Sequence, residues 1–276
     1  MKTFRLIGTG LMAVLLCFAF TACDGDDEED APNDPPQETE KKLVKMTQFI
    51  KGHYGDYYNT FYFEYDSQEK LSQYRYFSTT PWGEKTDIKD FLHSENAIMS
   101  TNKNGDYIKY NLFNDKINII QREESIYSDV YHLKYDASGY LSNITEDRTD
   151  YISEFNFTWS GNKLIKYQTE SGREHKYTYN SKTCKGFNPI FFFHGMNIED
   201  CFLLLAHPEL AGFKSNQLPS YREWGWNDEN EIRGTWAFNY ELYPDGYLKK
   251  CIVTLDGSDG MEGDTWDYYE YTFTWG

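Results

Sequence analysis

Apolar and polar residues alternate in short segments through most of residues 41–276, and many segments end in an aromatic residue followed by a polar turn. In the segment EFNFTW (154–159), Phe155, Phe157 and Trp159 alternate with polar residues, so the three rings share one face of a β-strand. An aliphatic residue then opens the next segment. This pattern predicts β-hairpins whose strands pack one face on a core and expose the other.

The hairpin pattern recurs along the chain. Aligned on their turns, its copies are residues 60–71, 107–117, 131–141, 154–164, 174–184 and 237–248, with a last strand at 270–275. Successive turn-side aromatic residues are 48, 22, 24 and 20 residues apart at Tyr65, Phe113, Tyr135, Trp159 and Tyr179. The long first interval predicts one more, diverged copy between residues 85 and 100. Repeated hairpins predict an all-β fold: a single domain, residues 41–276, that forms a twisted and rolled antiparallel sheet.

Two of the turns have residues that suit hairpins. The turns Asp136-Ala-Ser-Gly139 and Tyr243-Pro-Asp-Gly246 end in glycine, which adopts positive φ without strain. Pro244 presets φ at the first central position of its turn. Tyrosine and tryptophan suit the flanking strands because the ring packs on one side while its polar tip forms hydrogen bonds.

One segment, residues 186–221, lacks the strand alternation. Asn197 to Asp200 can cap a short helix over Cys201 to Ala206, which Pro208 would end. We expect an insertion that covers one end or face of the sheet, with Leu203 to Leu205 buried. A binding loop is the alternative, because long irregular connections often have functional roles.

The N-terminus predicts export from the cytoplasm. Lys2 and Arg5 precede an apolar run that is too short to span a bilayer comfortably, so residues 1–22 are predicted to be a cleaved signal peptide. The run ends Phe20-Thr-Ala-Cys23, which resembles a bacterial lipobox except that leucine is commoner at the position of Phe20. We therefore predict that Cys23 is lipidated; the alternative is an ordinary thiol beyond a plain secretory signal.

The residues after Cys23 predict a solvated, disordered tether over 23–40. Nine acidic residues and several proline or alanine residues occur between 24 and 40, with no aromatic residue to form a core. This acidic stretch also resembles the surface-export signal of Bacteroidetes-type lipoproteins. The remaining chain, 41–276, has 35 acidic and 25 basic residues, a net charge of −10. That charge argues against nucleic acid as a partner.

The turns Tyr135–Leu141 (YDASGYL) and Tyr243–Leu248 (YPDGYL) resemble the YD, or Rhs-type, repeats. With the lipobox and the acidic tether, the chain is similar to uncharacterised YD-containing lipoproteins of Bacteroidetes. The resemblance extends over most of 41–276 but is tight only at these two turns. It implies a surface or periplasmic β protein of unknown activity.

No motif for catalysis is present. The chain lacks GxSxG, HExxH, P-loop and GxGxxG patterns, and its six histidines are scattered. Beyond Cys23, the cysteines Cys184, Cys201 and Cys251 permit one disulfide, and their spacing does not select the pair. A non-enzymatic protein without a cofactor is expected.

Tryptophan and tyrosine residues form the candidate ligand site. Trp224 and Trp226 are two residues apart, so on a strand they share a face; Tyr221 precedes them, and Trp82 lies in the segment TTPWGEK. Flat aromatic rings beside amide and carboxylate groups are typical of sugar-binding platforms. Packing in the core is the alternative for these rings. The glycine between the two tryptophans favours an exposed turn.

A second candidate is a loop with four carboxylates, Asp256, Asp259, Glu262 and Asp264. Oxygen ligands on a flexible loop suit calcium. The spacing fits no EF-hand, however, and a glycine-rich hairpin turn explains it equally well.

These features predict a lipid-anchored lipoprotein of the outer membrane, exposed at the cell surface or facing the periplasm. We expect a non-catalytic binding module for a glycan or a protein. The alternative is a structural or assembly lipoprotein that pairs through sheet edges, for example through the C-terminal strand DYYEYTFTW.

Overall fold

The computed structural model describes residues 40–52, 55–124, 127–148, 152–189, 202–213, 215–226, 231–257 and 268–276. Glu40 to Gly276 form one compact unit. The predicted signal peptide, the predicted lipidation site Cys23 and all of the predicted tether except Glu40 lie outside the described residues.

Sixteen strands make up most of the described chain. They are β1 (Leu43–Lys51), β2 (Tyr57–Tyr65), β3 (Leu71–Thr80), β4 (Gly83–His93), β5 (Ala97–Asn102), β6 (Tyr107–Phe113), β7 (Lys116–Glu124), β8 (Tyr127–Tyr135), β9 (Leu141–Asp147), β10 (Ile152–Ser160), β11 (Lys163–Thr169), β12 (Arg173–Thr183), β13 (Gln217–Trp226), β14 (Glu231–Leu242), β15 (Leu248–Gly257) and β16 (Tyr268–Trp275). A short helix, α1 (Phe202–Ala206), and a 3-10 helix (Pro208–Ala211) lie between β12 and β13.

The strands form a closed antiparallel barrel in sequence order. β1 pairs with β2 on one side and with β16 on the other, where Met46 lies opposite Phe273. Backbone hydrogen bonds of 2.9 Å in both directions between Lys42 and Gly276 extend this pairing. The all-β antiparallel prediction is confirmed, but the rolled sheet is corrected to a barrel, because the last strand finds its partner in the first. Among the described residues, no edge strand is left for the assembly alternative.

Most predicted hairpins are present, including the diverged copy, which is β4 and β5. Three differences arise around β13. The predicted hairpin at 174–184 is instead a single strand, β12, whose partner β13 follows only after the insertion. Residues 217–221, assigned to the insertion by sequence, are the first half of β13. β13 and β14 then form a hairpin that the repeat alignment missed.

The described part of the insertion packs at one end of the barrel, here called the plugged end, where the turns after β2, β6, β8, β10 and β14 also lie. Leu203, Leu204 and Leu205 are at most 1 % exposed, as the sequence predicts. The His207 ring accepts the Leu71 backbone N–H at 3.1 Å, and the Tyr135 hydroxyl donates to the Leu210 carbonyl at 3.2 Å. The insertion is therefore a plug, packed against the first residues of the return strands.

The repeat has a structural reason, which is visible at the plugged end. In five of the hairpins at this end, the strand ladder is irregular where the return strand begins, and a bulge there disturbs the regular pairing of the backbone. The carbonyl of the aliphatic residue at this point accepts a hydrogen bond from the polar tip of an aromatic residue of a neighbouring hairpin. These pairs, here called aromatic clamps, are Tyr65 with Leu43, Trp159 with Leu141, Tyr179 with Leu164 and Trp275 with Leu248, at 2.7–2.8 Å, and Tyr135 with Ile117.

Polar and charged side chains are frequent on the outer wall of the barrel. On β10, for example, Glu154, Asn156 and Thr158 are exposed while Phe157 between them is buried. Cross-strand ion pairs occupy the wall, with Lys166 to Glu174 at 2.8 Å and Lys250 to Glu270 at 2.9 Å. A lipid-facing barrel has an apolar outer band about 25 Å tall, where a charged residue costs about 2–4 kcal/mol. Large apolar side chains are also exposed on it, among them Tyr58, Phe77, Leu92 and Ile152, but polar and charged positions interrupt them along these strands.

The interior is apolar at the plugged end and partly charged at the opposite, distal end. The fully buried side chains include Leu71, Ile117 and Leu141 near the plug and Tyr74, Tyr271 and Phe273 further in. Buried polar groups of the distal half are Asp129, Glu146, His175 and Arg222. In the part of the chain that the structure describes, no helix is both long and apolar enough to cross a bilayer.

Candidate ligand-binding site at the distal end

The four aromatic residues singled out by sequence lie in three places. Trp224 and Trp226 share a face, as their spacing predicts, but that face is the barrel interior, and Trp224 is only 6 % exposed. Core packing, the alternative reading, therefore holds for Trp224, whereas Trp226 is half-buried, because the strand belongs to a closed barrel. Tyr221 is 49 % exposed on the outer face of β13. Trp82 is 74 % exposed in the turn after β3, edge-to-face with Tyr57 at 5.6 Å.

The predicted calcium loop falls outside the described residues, apart from the backbone of Asp256 in β15. Within the described part of the chain, no group of three or more metal-ligating side chains comes together. The calcium site stays a prediction.

The cysteines described by the structure are Cys184 and Cys251, both buried and both with free thiols. Burial raises the pKa of the Cys184 thiol to about 12 and raises that of Cys251 as well. Because the thiolate is the reactive form, these groups are inert as nucleophiles at neutral pH. Cys201 lies outside the described residues.

Three arginines and three tryptophans lie close together toward the distal end of β12, β13 and β14. We call Arg173, Arg222, Arg233, Trp224, Trp226 and Trp236 the arginine–tryptophan cluster. Arg173 lies over both Trp224 and Trp226, with guanidinium-to-ring-centroid distances of 5.2 and 5.5 Å. Arg233 lies 5.9 Å from the ring of Trp226, and Arg222 lies 5.3 Å from the ring of Trp236.

Strand register explains how these residues meet. Arg173 is opposite Trp226, and His175 is opposite Trp224. The inward side chains of β12 and β13 therefore place a guanidinium group or an imidazole ring beside an indole ring. A bulge in β14 opposite Trp224 and Gly225 displaces Arg233 from the regular ladder. Cation–π contacts of this kind contribute about 0.5–2 kcal/mol each and orient the guanidinium planes.

His175 lies in the middle of the cluster and is 8 % exposed. Its ring stacks on Tyr167, with centroids 4.9 Å apart and planes 15° apart. Burial, with the positive charges of Arg222 and Arg173, lowers the pKa of His175 well below its ordinary value, so the imidazole is neutral at pH 7. Its buried Nδ1 atom has no hydrogen-bond partner.

A second polar network lies on β7 to β9, in another part of the distal wall. Arg148 contacts Glu146 at 2.5 Å and Asp129 at 3.8 Å, and Arg122 lies 3.9 Å from Asp129. Burial alone would lower the pKa of Arg148, yet hydrogen bonding and charge attraction by Glu146 raise it above the ordinary arginine value. These arginines are neutralised by carboxylates, which indicates a structural role.

An open groove of about 570 Å³ lies beside the cluster, between the distal ends of β10 and β11. Its lining includes Phe155 with the polar residues Ser153, Glu154, Thr169, Glu170 and Ser171. The Phe155 ring stacks on Tyr167 at 6.2 Å, and Tyr167 stacks on His175, so a row of rings connects the groove with the cluster.

Sequence reasoning found the tryptophans but missed the arginines and His175. A signal was present: in the segment REHKYTY (173–179), Arg173 and His175 have the same parity as Tyr177 and Tyr179. Polar residues at positions that should face a core are errors in packing unless they have a function.

Neither a protein-family model nor a curated protein matches the chain. Solved structures do match. A porin-like protein from Bacteroides uniformis ATCC 8492 has a TM-score of 0.66 at 16 % identity, over 86 % of this chain and 100 % of that one. A porin-like protein from Bacteroides vulgatus ATCC 8482 has a TM-score of 0.57 at 11 % identity, over 84 % and 98 %. At these identities the similarity establishes the fold and nothing about function.

Proposed function

We propose that the protein is a lipid-anchored lipoprotein of the outer membrane and that its barrel is a non-catalytic glycan-binding module. The observation that supports this proposal is the arginine–tryptophan cluster with its adjoining groove. Indole and phenyl rings stack on pyranose faces, and carboxylate, hydroxyl and guanidinium groups bind sugar hydroxyls.

Binding fits this barrel better than conduction, although its structural neighbours are called porin-like. The outer wall has charged cross-strand pairs, whereas a membrane pore needs an apolar band. Aromatic side chains fill the interior, and the plug occupies one end. A barrel that faces water still needs a membrane attachment to stay in the envelope, which the lipid at Cys23 would supply.

The start of the described chain favours a distal binding site. The Lys41 backbone N–H donates to the Tyr247 hydroxyl at 2.8 Å, and Lys42 pairs with Gly276, both at the plugged end. A lipid anchor at Cys23 would therefore connect to the barrel at the plugged end. The cluster lies at the other end of the barrel, away from the point of attachment. Such an arrangement suits a ligand outside the membrane at the cell surface.

Trp226→Ala is expected to weaken glycan binding at least tenfold, because it removes a half-buried ring at the edge of the site, the kind of residue that dominates binding energy. The full-length lipoprotein, in detergent solution, would be screened against polysaccharides by thermal shift. A ligand at 100 times its Kd stabilises the fold by about 2.7 kcal/mol.

Tyr221→Ala is the matched control, because it truncates an aromatic ring on the outer face of the same strand. It should leave binding unchanged, and Trp226→Phe should retain part of it. Equal losses in Trp226→Ala and Tyr221→Ala, or no saccharide that binds a folded sample, would contradict the proposal.

A further inference from the structure

We propose that the glycan is acidic, and that the arginine–tryptophan cluster binds its carboxylate or sulfate groups. This inference rests on the proposed glycan-binding function and specifies the class of ligand. The uncharged part of the saccharide occupies the groove beside Phe155, and the anionic group lies at Arg173.

Arg173 differs from the arginines of the second network in how its charge is compensated. Arg122 and Arg148 have Asp129 and Glu146 within 4.0 Å. Arg173, in contrast, forms no ion pair with any carboxylate of the described residues, and its contacts are the faces of two indoles. A guanidinium that faces the barrel interior without a counter-ion favours an anion from outside the protein.

His175 is an independent sign that a ligand completes this site. It is more than nine-tenths buried, and its Nδ1 atom has no hydrogen-bond partner. Leaving a buried polar atom unpaired is unfavourable, and a ligand group at this position would restore the missing hydrogen bond. Because the ring is neutral, it can bond a hydroxyl or a carboxylate without adding charge.

The geometry of the cluster suits planar or forked anions. Guanidinium groups bind carboxylates and sulfates through two parallel N–H bonds, and they release their weak hydration readily. Trp224 and Trp226 hold the Arg173 guanidinium between ring faces, which fixes its orientation before a ligand arrives. The half-buried Trp226 ring can also stack on the sugar ring that carries the acid.

The groove by itself would not attract an anion, because Glu154 and Glu170 line it. Residues 41–276 have a net charge of −10, so no general attraction draws acidic polymers to the surface. Selectivity for an acidic saccharide must therefore arise locally at the arginines. The row of rings from Phe155 through Tyr167 to His175, with steps of 6.2 and 4.9 Å, links the two parts of the site.

The test uses the full-length lipoprotein in detergent solution and titration calorimetry with two matched probe pairs. One pair is an oligogalacturonate and its methyl ester; the other is a chondroitin sulfate tetrasaccharide and its desulfated form. We expect at least one acidic probe to bind at least tenfold tighter than its neutral partner. Rising salt concentration should reduce this preference, because the contact is partly exposed.

Arg173→Gln should reduce the preference for the acidic probe about tenfold, and Arg173→Lys should retain part of it. Lys176→Gln is the matched control, because it removes the same charge from an outward position of the same strand, where the side chain is 63 % exposed. Circular dichroism would verify that each variant is folded.

The possible failures are distinguishable. Equal affinity for both members of each pair, with no change in preference in Arg173→Gln, would overturn the acidic-ligand inference and leave glycan binding intact. Loss of preference in Lys176→Gln to the same extent would also overturn it. Absence of binding to all four probes and to the wider polysaccharide panel would contradict both proposals.

Discussion

Replacing Gly212 by alanine is expected to destabilise the barrel by about 3 kcal/mol, the sum of backbone strain and steric overlap. Gly212 ends the 3-10 helix of the plug with φ of 66°, a left-handed conformation that favours glycine. A Cβ atom there would lie 2.6 Å from the Gly139 carbonyl oxygen and 3.0 Å from the Leu141 nitrogen. Because both neighbours are backbone atoms of the turn between β8 and β9, the plug itself would have to move.

Comparison with Gly161→Ala separates the cost of backbone strain from the cost of steric overlap. Gly161 also has positive φ, 58°, but nothing lies within 4 Å of the position of its Cβ atom. Its substitution should cost only the strain, about 1 kcal/mol. Urea unfolding followed by tryptophan fluorescence would measure both variants. Equal destabilisation by the two substitutions would show that the plug does not dock closely on the β8–β9 turn.

Replacing Glu146 by glutamine is expected to destabilise the barrel by about 2 kcal/mol. The substitution keeps the shape but leaves the Arg148 guanidinium with Asp129, 3.8 Å away, as its remaining carboxylate among the described residues. Breaking a fully buried pair costs about 3–5 kcal/mol. The Glu146 side chain is 7 % exposed but that of Arg148 is 33 % exposed, so solvent screening reduces the expected cost.

Glu241→Gln is the control, because Glu241 pairs with Lys249 at 3.4 Å and both side chains are at least half exposed. An exposed pair contributes less than about 1 kcal/mol. Thermal unfolding at low and moderate salt would compare the variants. If Glu146→Gln cost no more than Glu241→Gln, the charged network of β7 to β9 would not stabilise the distal half.

The strands and turns were predictable because their signals are local. Alternation assigns faces without reference to the rest of the chain, and the aromatic residue before each turn marks a hairpin. Gly139 and Gly246 have φ of 82° and 91°, as the turn chemistry predicts. The aromatic clamps give these positions a physical role, since each joins one hairpin to the next.

Closure of the sheet was not predictable from the same pattern. Alternation states which residues share a face, but it does not state whether the two terminal strands meet. In the barrel, β16 pairs with β1 across more than 200 residues of sequence. The repeat pattern contains no signal for this contact. Because the contact closes the barrel, the face that Trp224 and Trp226 share lies in the interior.

The candidate site was only half predictable, for a related reason. Arg173 and His175 occupy inward positions of β12. The alternation pattern predicts apolar core residues at such positions, so it does not identify a polar site there. Their partners on β13 lay at the end of a segment without alternation. The site therefore depends on the pairing of β12 with β13, which the insertion separates in sequence. The relation to YD-containing lipoproteins stays a prediction.

We propose that the barrel faces water and that a lipid at Cys23 holds it to the membrane. Membrane fractionation of cells that express the full-length Cys23→Ala protein tests this claim most directly. Cys17→Ala is the control, because it changes the other cysteine near the end of the predicted signal peptide. We expect Cys23→Ala protein in the soluble fraction and Cys17→Ala protein in the membrane fraction. Folded Cys23→Ala protein that has lost its signal peptide and still leaves the membrane only with detergent would contradict this proposal, because its wall would then be embedded in lipid.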